Sequence, residues 1–222
     1  MKTLLSKAWL LALLLAAAFI PAACWSAGGN QQGDESGGGG HGQMDHGHMG
    51  HGSTGMGSEG MARQMIKQNG KYSDERFIDA MVPHHQGAIA MARVALENAE
   101  HEEIEELSRN IISTQQAEIE DLKSIKQEEF GTSQVPMEMS QQQMRSMGMM
   151  MNPQQLAQSK PFDKAFIDAM IPHHQSAIEM AKVANQESQN PRIKGLAGNI
   201  VSAQKGEIEQ MKQWRREWYQ VG

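Results

Sequence analysis

A single cysteine, Cys24, stands in this 222-residue chain, so no disulfide can close within it. Basic side chains are also in deficit, 20 against 26 acidic ones, for a net charge of −6. Loss of the leader described below removes two lysines and takes the chain to about −8. Nucleic acid is excluded as a partner, because phosphate binding needs a basic surface. Such a charge attracts cations and also simply keeps a protein soluble. The sequence Glu-x-x-His occurs nowhere, and with it goes the ligand pattern of a di-iron bundle oxidase. Strand-type alternation is missing from the body of the chain, which leaves an all-α fold. Residues 25–60 hardly contain an aliphatic side chain. Such a stretch cannot bury enough surface to offset the entropy of ordering, and 24–70 reads as a disordered segment rich in His, Met and Gly.

What is abundant is methionine, 18 residues of it, and a sentence written twice. FIDAMVPHHQGAIAMA runs from Phe77 to Ala92, and FIDAMIPHHQSAIEMA from Phe166 to Ala181. The 89-residue offset continues without a gap to Lys123 and Lys212, and carries Asn110, Gln115, Glu118 and Glu120 onto Asn199, Gln204, Glu207 and Glu209. Two ungapped copies mean two equivalent structural units. Amphipathic patterns predict helices over 74–99 and 102–129, repeated at 162–188 and 191–219. Asp74 and Asp163 are candidate N-caps, and Asn190-Pro191 is a strong helix start. His101 falls in the turn between the first two helices. The stripes are Phe77, Met81, His84, Ala88, Met91, Ala95 and Ile104, Leu107, Ile111, Gln115, Glu118, Leu122, Ile125, with their counterparts 89 residues on. These add up to a ferritin-like four-helix bundle over 71–222, made of hairpins 71–130 and 161–222. The connection, 131–160, is long enough to cross the bundle lengthwise, although a bulging loop in an up-down-up-down bundle also fits. Pro83 and Pro172 fall within the helix pattern, which means either a kink or a helix that starts there.

Met and His are soft and borderline metal ligands, and their mixture points to copper in both oxidation states. Within each repeat Met81 lies one turn before His84 and His85, as Met170 does before His173 and His174, so one ion can touch a thioether and an imidazole from one helix. Met91 and Met180 lie roughly 10 Å farther along the axis and serve a second position. The alternative is a methionine core whose histidines are hydrogen-bonded to Gln115 or Glu118. Gln115, Glu118, Gln204 and Glu207 interrupt apolar stripes. They either orient the histidines or bind metal, unless they sit at the bundle end and reach water. The run His41, Met44, His46, His48, Met49, His51 and Met56 has no core to belong to, so packing does not explain it. In the connection, Met137, Met139, Met144, Met147, Met149, Met150 and Met151 lie among Gln, Ser and Gly. Gap filling or an adaptable binding surface would account for them, but thioether capture of Cu(I) does so better. Gly195, Gly198 and Gly206 with Ser202 form a small-residue stripe suited to a close helix contact.

The repeated D-x-x-F-I-D-A-M-[VI]-P-H-H-x-x-A-I-x-M-A, from Asp74 to Ala92 and Asp163 to Ala181, resembles the bacterial family labelled domain of unknown function 305. The resemblance spans roughly 71–219. Its duplicated, Met-flanked form implies a ferritin-like four-helix bundle, copper binding and a part in copper resistance. By motif match the ligands are Met81, His84, His85 and Met91, with Met170, His173, His174 and Met180.

The first 23 residues form a secretory leader, with Lys2 and Lys7 ahead of an apolar stretch from Ala8 to Ile20 that is too short for a confident membrane span. The expected location is periplasmic or secreted. Cys24 lies where a lipoprotein would be acylated. Pro21 is unusual three residues before such a cysteine, so a lipid anchor and simple cleavage both stay open. The function expected is a non-enzymatic copper binder, with copper ions as its ligand and a copper efflux or sensor component as its partner. The competing readings are a metal-dependent interaction module and a copper oxidase.

Overall fold

Three of the four long helices begin where a side chain satisfies free amides at or just before the first turn. The computed structural model describes residues 58–149 and 151–220. In chain order these form α1 (Ser58–Met65), β1 (Lys67–Gln68), β2 (Lys71–Tyr72), α2 (Asp74–Asn98), α3 (Glu102–Phe130), α4 (Gln141–Ser146), α5 (Pro153–Ala157), α6 (Phe162–Glu187) and α7 (Pro191–Tyr219). Asn190 accepts from the amides of Arg192 and Ile193 at the start of α7. Gly131 ends α3 in the left-handed conformation, at φ 73°. The α2 cap is Ser73, not Asp74, and Asp74 supplies negative charge in the first turn instead. Pro161 precedes α6, and Asp163 has a different role: its buried carboxylate accepts from the amides of Glu100 and His101 at the start of α3. The four long helices match the sequence expectation to within a residue at each end. Pro83 and Pro172 lie inside continuous helices. Both α2 and α6 therefore start well before their proline.

Two antiparallel hairpins, α2–α3 and α6–α7, join through α2 and α6. Contacts at the ends set the directions. Asp163 at the start of α6 meets the end of α2, and Arg192 and Asn190 at the start of α7 bond Glu128 and Glu129 at the end of α3. His101, before α3, stacks on Trp218 near the end of α7. Every neighbouring pair is thus antiparallel, and the helices run up, down, down, up. The connection from α3 to α6 crosses the bundle lengthwise, which is the ferritin-like topology.

The core divides into two apolar clusters. One gathers Phe77, Met81, Leu122, Ile125, Met180 and Ile193; the other gathers Met91, Ile104, Ile111, Phe166, Met170 and Met211. Helices α2 and α6 carry their histidines at the level where they pass from one cluster to the other. Among the described residues no helix is long and apolar enough to cross a membrane.

The expected disorder over 24–70 is corrected at its C-terminal end. Residues 58–72 form α1 and a two-stranded hairpin, Lys67 opposite Tyr72 and Gln68 opposite Lys71. Ala62 and Ile66 are fully buried, and Arg63 pairs with Glu179 of α6. An eight-residue helix is too short to persist alone, so this packing holds it. Residues 1–57, with the leader, Cys24, His41, Met44, His46, His48, Met49, His51 and Met56, lie outside the described residues, as does Met150.

Candidate metal centre

All four motif histidines are completely buried: His84, His85, His173 and His174 each expose 0% of their surface. Buried polar groups ordinarily find partners, yet seven of the eight ring nitrogens here have none. They are Nδ1 of His84 and both nitrogens of His85, His173 and His174. Gln115 Oε1 and both amide atoms of Gln204 add to this unsatisfied layer.

The outer histidines are treated alike. His85 Nε2 lies 2.8 Å from Glu118 Oε2, and His174 Nε2 lies 2.7 Å from Glu207 Oε2. The distances are those of a close polar contact, but the ring N–H directions are not aligned for a linear bond. A carboxylate beside one ring nitrogen favours the proton there and leaves the other nitrogen's lone pair free, as in carboxylate–histidine–metal arrangements. The expectation that Glu118 and Glu207 partner the histidines is met in geometry. A second symmetric pair braces the same helices: Lys126 of α3 on Asp79 of α2, and Arg215 of α7 on Asp168 of α6, the latter at 2.8 Å. Asp79 and Asp168 are also the residues whose backbone carbonyls the prolines leave free.

The inner histidines differ. The rings of His84 and His173 lie 3.8 Å apart, centroid to centroid, at a 40° tilt. His84 Nε2 donates to the His173 carbonyl at 3.0 Å and to the Ser176 hydroxyl at 2.8 Å, and Ser176 donates to the same carbonyl. That carbonyl can only accept, so the contact to it engages a proton on His84 Nε2. His173 has no such clamp. The residue equivalent to Ser176 is Gly87, and a Cβ there would stand 3.2 Å from His173 Nε2 and 3.3 Å from Met149 Sδ. Burial, reinforced by the charges of neighbouring histidines, holds His84 and His173 well below the usual histidine pKa. Both are therefore neutral near pH 7, the form a metal requires.

Of the motif methionines, Met81 and Met180 pack on one side of this layer, and Met91 and Met170 on the other. The connection lies over the inner histidines. At Gly148, φ +70°, a Cβ would stand 2.6 Å from the Pro172 carbonyl oxygen and 2.7 Å from the His173 amide, so only glycine allows this approach. Its methionines do not share one role. Met147 is 1% exposed and belongs to the core, which corrects the expectation that packing plays little part here. Met139, Met149 and Met151 are partly buried against the clusters, and Met137 is 54% exposed. Met144, Met149 and Met151 join Met91 around a cavity of about 550 Å³. Neither Gly195 nor Gly206 has another atom within 4 Å of where a Cβ would lie, and a Cβ at Gly198 would stand 3.4 Å from Asn185 Nδ2 of α6, so among these glycines only Gly198 meets a neighbouring helix within the described residues. Sequence reasoning misses Ser176, Gly87 and Gly148. The signal for the first two is the mismatch Gly87/Ser176 inside an otherwise matching motif.

Among solved structures the chain is similar to CopM. With its Cu(II)-bound form it shares 42% identity over 67% of this chain and 99% of that one, at a TM-score of 0.62. CopM has also been solved bound to Cu(I), bound to silver and in the apo form, at 40% identity and TM-scores of 0.57–0.58 for the Cu(I), co-crystallised silver and apo forms. A DUF305 fragment from Deinococcus radiodurans matches at 25% identity over 63% of this chain and 93% of that one, TM-score 0.57. The uncharacterized protein L153 of Acanthamoeba polyphaga mimivirus is 45% identical over 49 residues, 22% of this chain and 32% of that relative, so the chain spans about a third of it. The model of the domain of unknown function DUF305 matches twice, over residues 24–126 and 122–215. With both repeats matched, the chain belongs to the DUF305 family.

Proposed function

We propose that this protein binds copper as Cu(I), and silver in the same way, and that it sequesters or hands on the ion without catalysing a reaction. The observation that carries this reading is the layer of four fully buried histidines with orphaned ring nitrogens. Apolar side chains would fill a core better than ring nitrogens left without a hydrogen bond, of which only the outer Nε2 atoms have a carboxylate close by, since each buried polar group left without a partner costs free energy. Among the described residues no three His, Cys, Asp or Glu side chains are placed to hold one ion together. That favours an ion content with few ligands, completed by thioether sulfur. Cu(I) and Ag(I) meet that description; zinc prefers four nitrogen, oxygen or thiolate ligands. The similarity to CopM, solved with Cu(I), Cu(II) and silver, supports the same metals here.

His84, His85, His173 and His174 supply the nitrogen ligands, with Met81 and Met170 one turn away as sulfur donors, while Met91 and Met180 serve a second position. Glu118 and Glu207 fix the outer rings, and copper enters and leaves as cargo. A secretory leader supports a location outside the inner membrane. A role in copper resistance and a hand-over to an efflux or sensor component fit a binder at that location. Cu(II) suits the N-terminal His/Met run, whose imidazoles prefer it.

The test is metal titration of the mature chain, with His41, His46, His48 and His51 replaced by alanine, under reducing and oxidising conditions, bound ions being counted by native mass spectrometry. Replacing His84, His85, His173 and His174 as well should abolish the tight Cu(I) sites while the helical circular dichroism spectrum persists. Equal Cu(I) binding by the two folded proteins would make the quartet structural.

A further inference from the structure

The cavity of about 550 Å³ between α2 and the connection is lined by Met91, Met144, Met149 and Met151. Methionines that merely pack fill space; these surround it. Gly87 forms part of the same wall, and behind it lies His173 Nε2. A Cβ at Gly87 would stand 2.9 Å from Met149 Cε, 3.3 Å from Met149 Sδ and 3.2 Å from His173 Nε2. The missing side chain is thus what lets the Met149 thioether and the one unclamped inner imidazole come to the same place. In the other repeat the equivalent position is filled by Ser176, whose hydroxyl occupies His84 Nε2. The wall beside His173 is therefore one side chain thinner than the wall beside His84. Arg145 is the one charged side chain of the cavity wall among the described residues. It is exposed, so water and salt screen its charge from an ion held by the sulfurs.

Resting on the copper reading above, we propose that this cavity is a separate thioether site for Cu(I) or Ag(I) and the route by which the ion reaches the buried histidines. Met149 is the ligand shared between the two, and Gly87 is the aperture. Thioethers favour these soft monovalent ions and carry no proton to displace. Transfer is a ligand exchange. A bond from the metal to His173 Nε2 forms as one to a cavity sulfur breaks, the imidazole keeping its single proton on Nδ1, with no change in oxidation state. Holding the ion on Met149 while His173 engages avoids release of a free ion into an apolar core.

The experiment uses Ag(I), which needs no reductant, on the full mature chain carrying methyl-labelled methionine. Methionine methyl and histidine ring resonances are followed site by site during titration, and loading rates are measured by rapid mixing. The N-terminal His/Met run is present in every variant, so differences report the cavity. In the wild type the Met144, Met149 and Met151 methyls should shift with or before the His173 ring. Replacing Met91, Met144, Met149 and Met151 by leucine keeps volume and apolarity. This variant should lose one equivalent of Ag(I) and load its histidines at least about tenfold more slowly, since the soft donors that first hold the ion are gone. Gly87→Val should keep the methyl shifts and slow the His173 response by a similar factor. Wild-type stoichiometry and loading rate in the folded four-leucine variant would overturn the proposal, and so would cavity methyls that stay still while Ag(I) fills the histidines. Cavity methyls that shift while no histidine responds would uphold the thioether site, overturn the route, and count against the histidine reading itself.

Discussion

The two repeats share a scaffold and differ at its centre. His85 and His174 each face a glutamate 33 residues on, and Asp79 and Asp168 each face a basic residue 47 residues on. The inner histidines break the symmetry. His84 is held on one nitrogen by Ser176 and the His173 carbonyl, whereas His173 has both nitrogens free and a methionine sulfur nearby. A duplicated hairpin thus supplies the histidine layer, and one position per copy, Gly87 or Ser176, decides which inner histidine keeps both ring nitrogens free. The asymmetry rests on the connection as well, because a chain that crosses the bundle once can cover only one face of a two-fold arrangement.

Four measurements probe how far the copies differ. The largest effect is expected at Gly148→Val, which meets backbone of α6 and forces a left-handed conformation on a branched residue. It should cost about 4 kcal/mol in denaturant unfolding, or displace the connection. The equivalent brace residues should then differ. Lys126→Ala leaves Asp79 without its nearly buried partner and should cost about 3 kcal/mol, while Arg215→Ala, at a more exposed and shared site, should cost about 1 kcal/mol or less. Similar losses at both would show the copies to be equivalent there.

The third is the pH dependence of the apo protein. His84 and His173 have folded-state pKa values below those of the unfolded chain, because burial disfavours their charged forms. Below about pH 6.5 the unfolded state binds more protons, so stability is fully present above that pH and falls as the solution is acidified. The slope should approach about 1.4 kcal/mol per pH unit for each histidine, and replacing both by glutamine should remove it. The same shift moves proton competition for Cu(I) at these two residues below the ordinary histidine range. The smallest effect is Ser176→Ala, which frees His84 from one partner. It should cost about 1 kcal/mol and bring the His84 ring resonances closer to those of His173.

Much of this arrangement is legible in the sequence, for reasons particular to the elements. The long helices carry complete stripes and explicit punctuation such as Asn190-Pro191, so their bounds follow from local chemistry. Glu118 and Glu207 stand out because a charge inside an apolar stripe needs a partner. What escapes are features decided by distant contacts. The helix α1 exists because Ala62, Ile66 and Arg63 meet the bundle. Asp163 caps a helix other than its own. Met147 reads as one of several linker methionines and becomes core only because Gly148 lets the chain lie against Pro172 and His173. The sequence allows two directions for the connection, and only the end contacts decide between them.

Whether imidazole nitrogen of the buried quartet holds Cu(I) is the point on which the whole reading turns. Copper K-edge X-ray absorption addresses it directly, on the mature chain lacking His41, His46, His48 and His51 and loaded with less than one equivalent of Cu(I). The expected spectrum shows nitrogen scatterers with the outer-shell pattern of imidazole, together with sulfur, and loses the imidazole pattern when His84, His85, His173 and His174 are replaced. A spectrum of sulfur alone in the protein with all four histidines intact would contradict it.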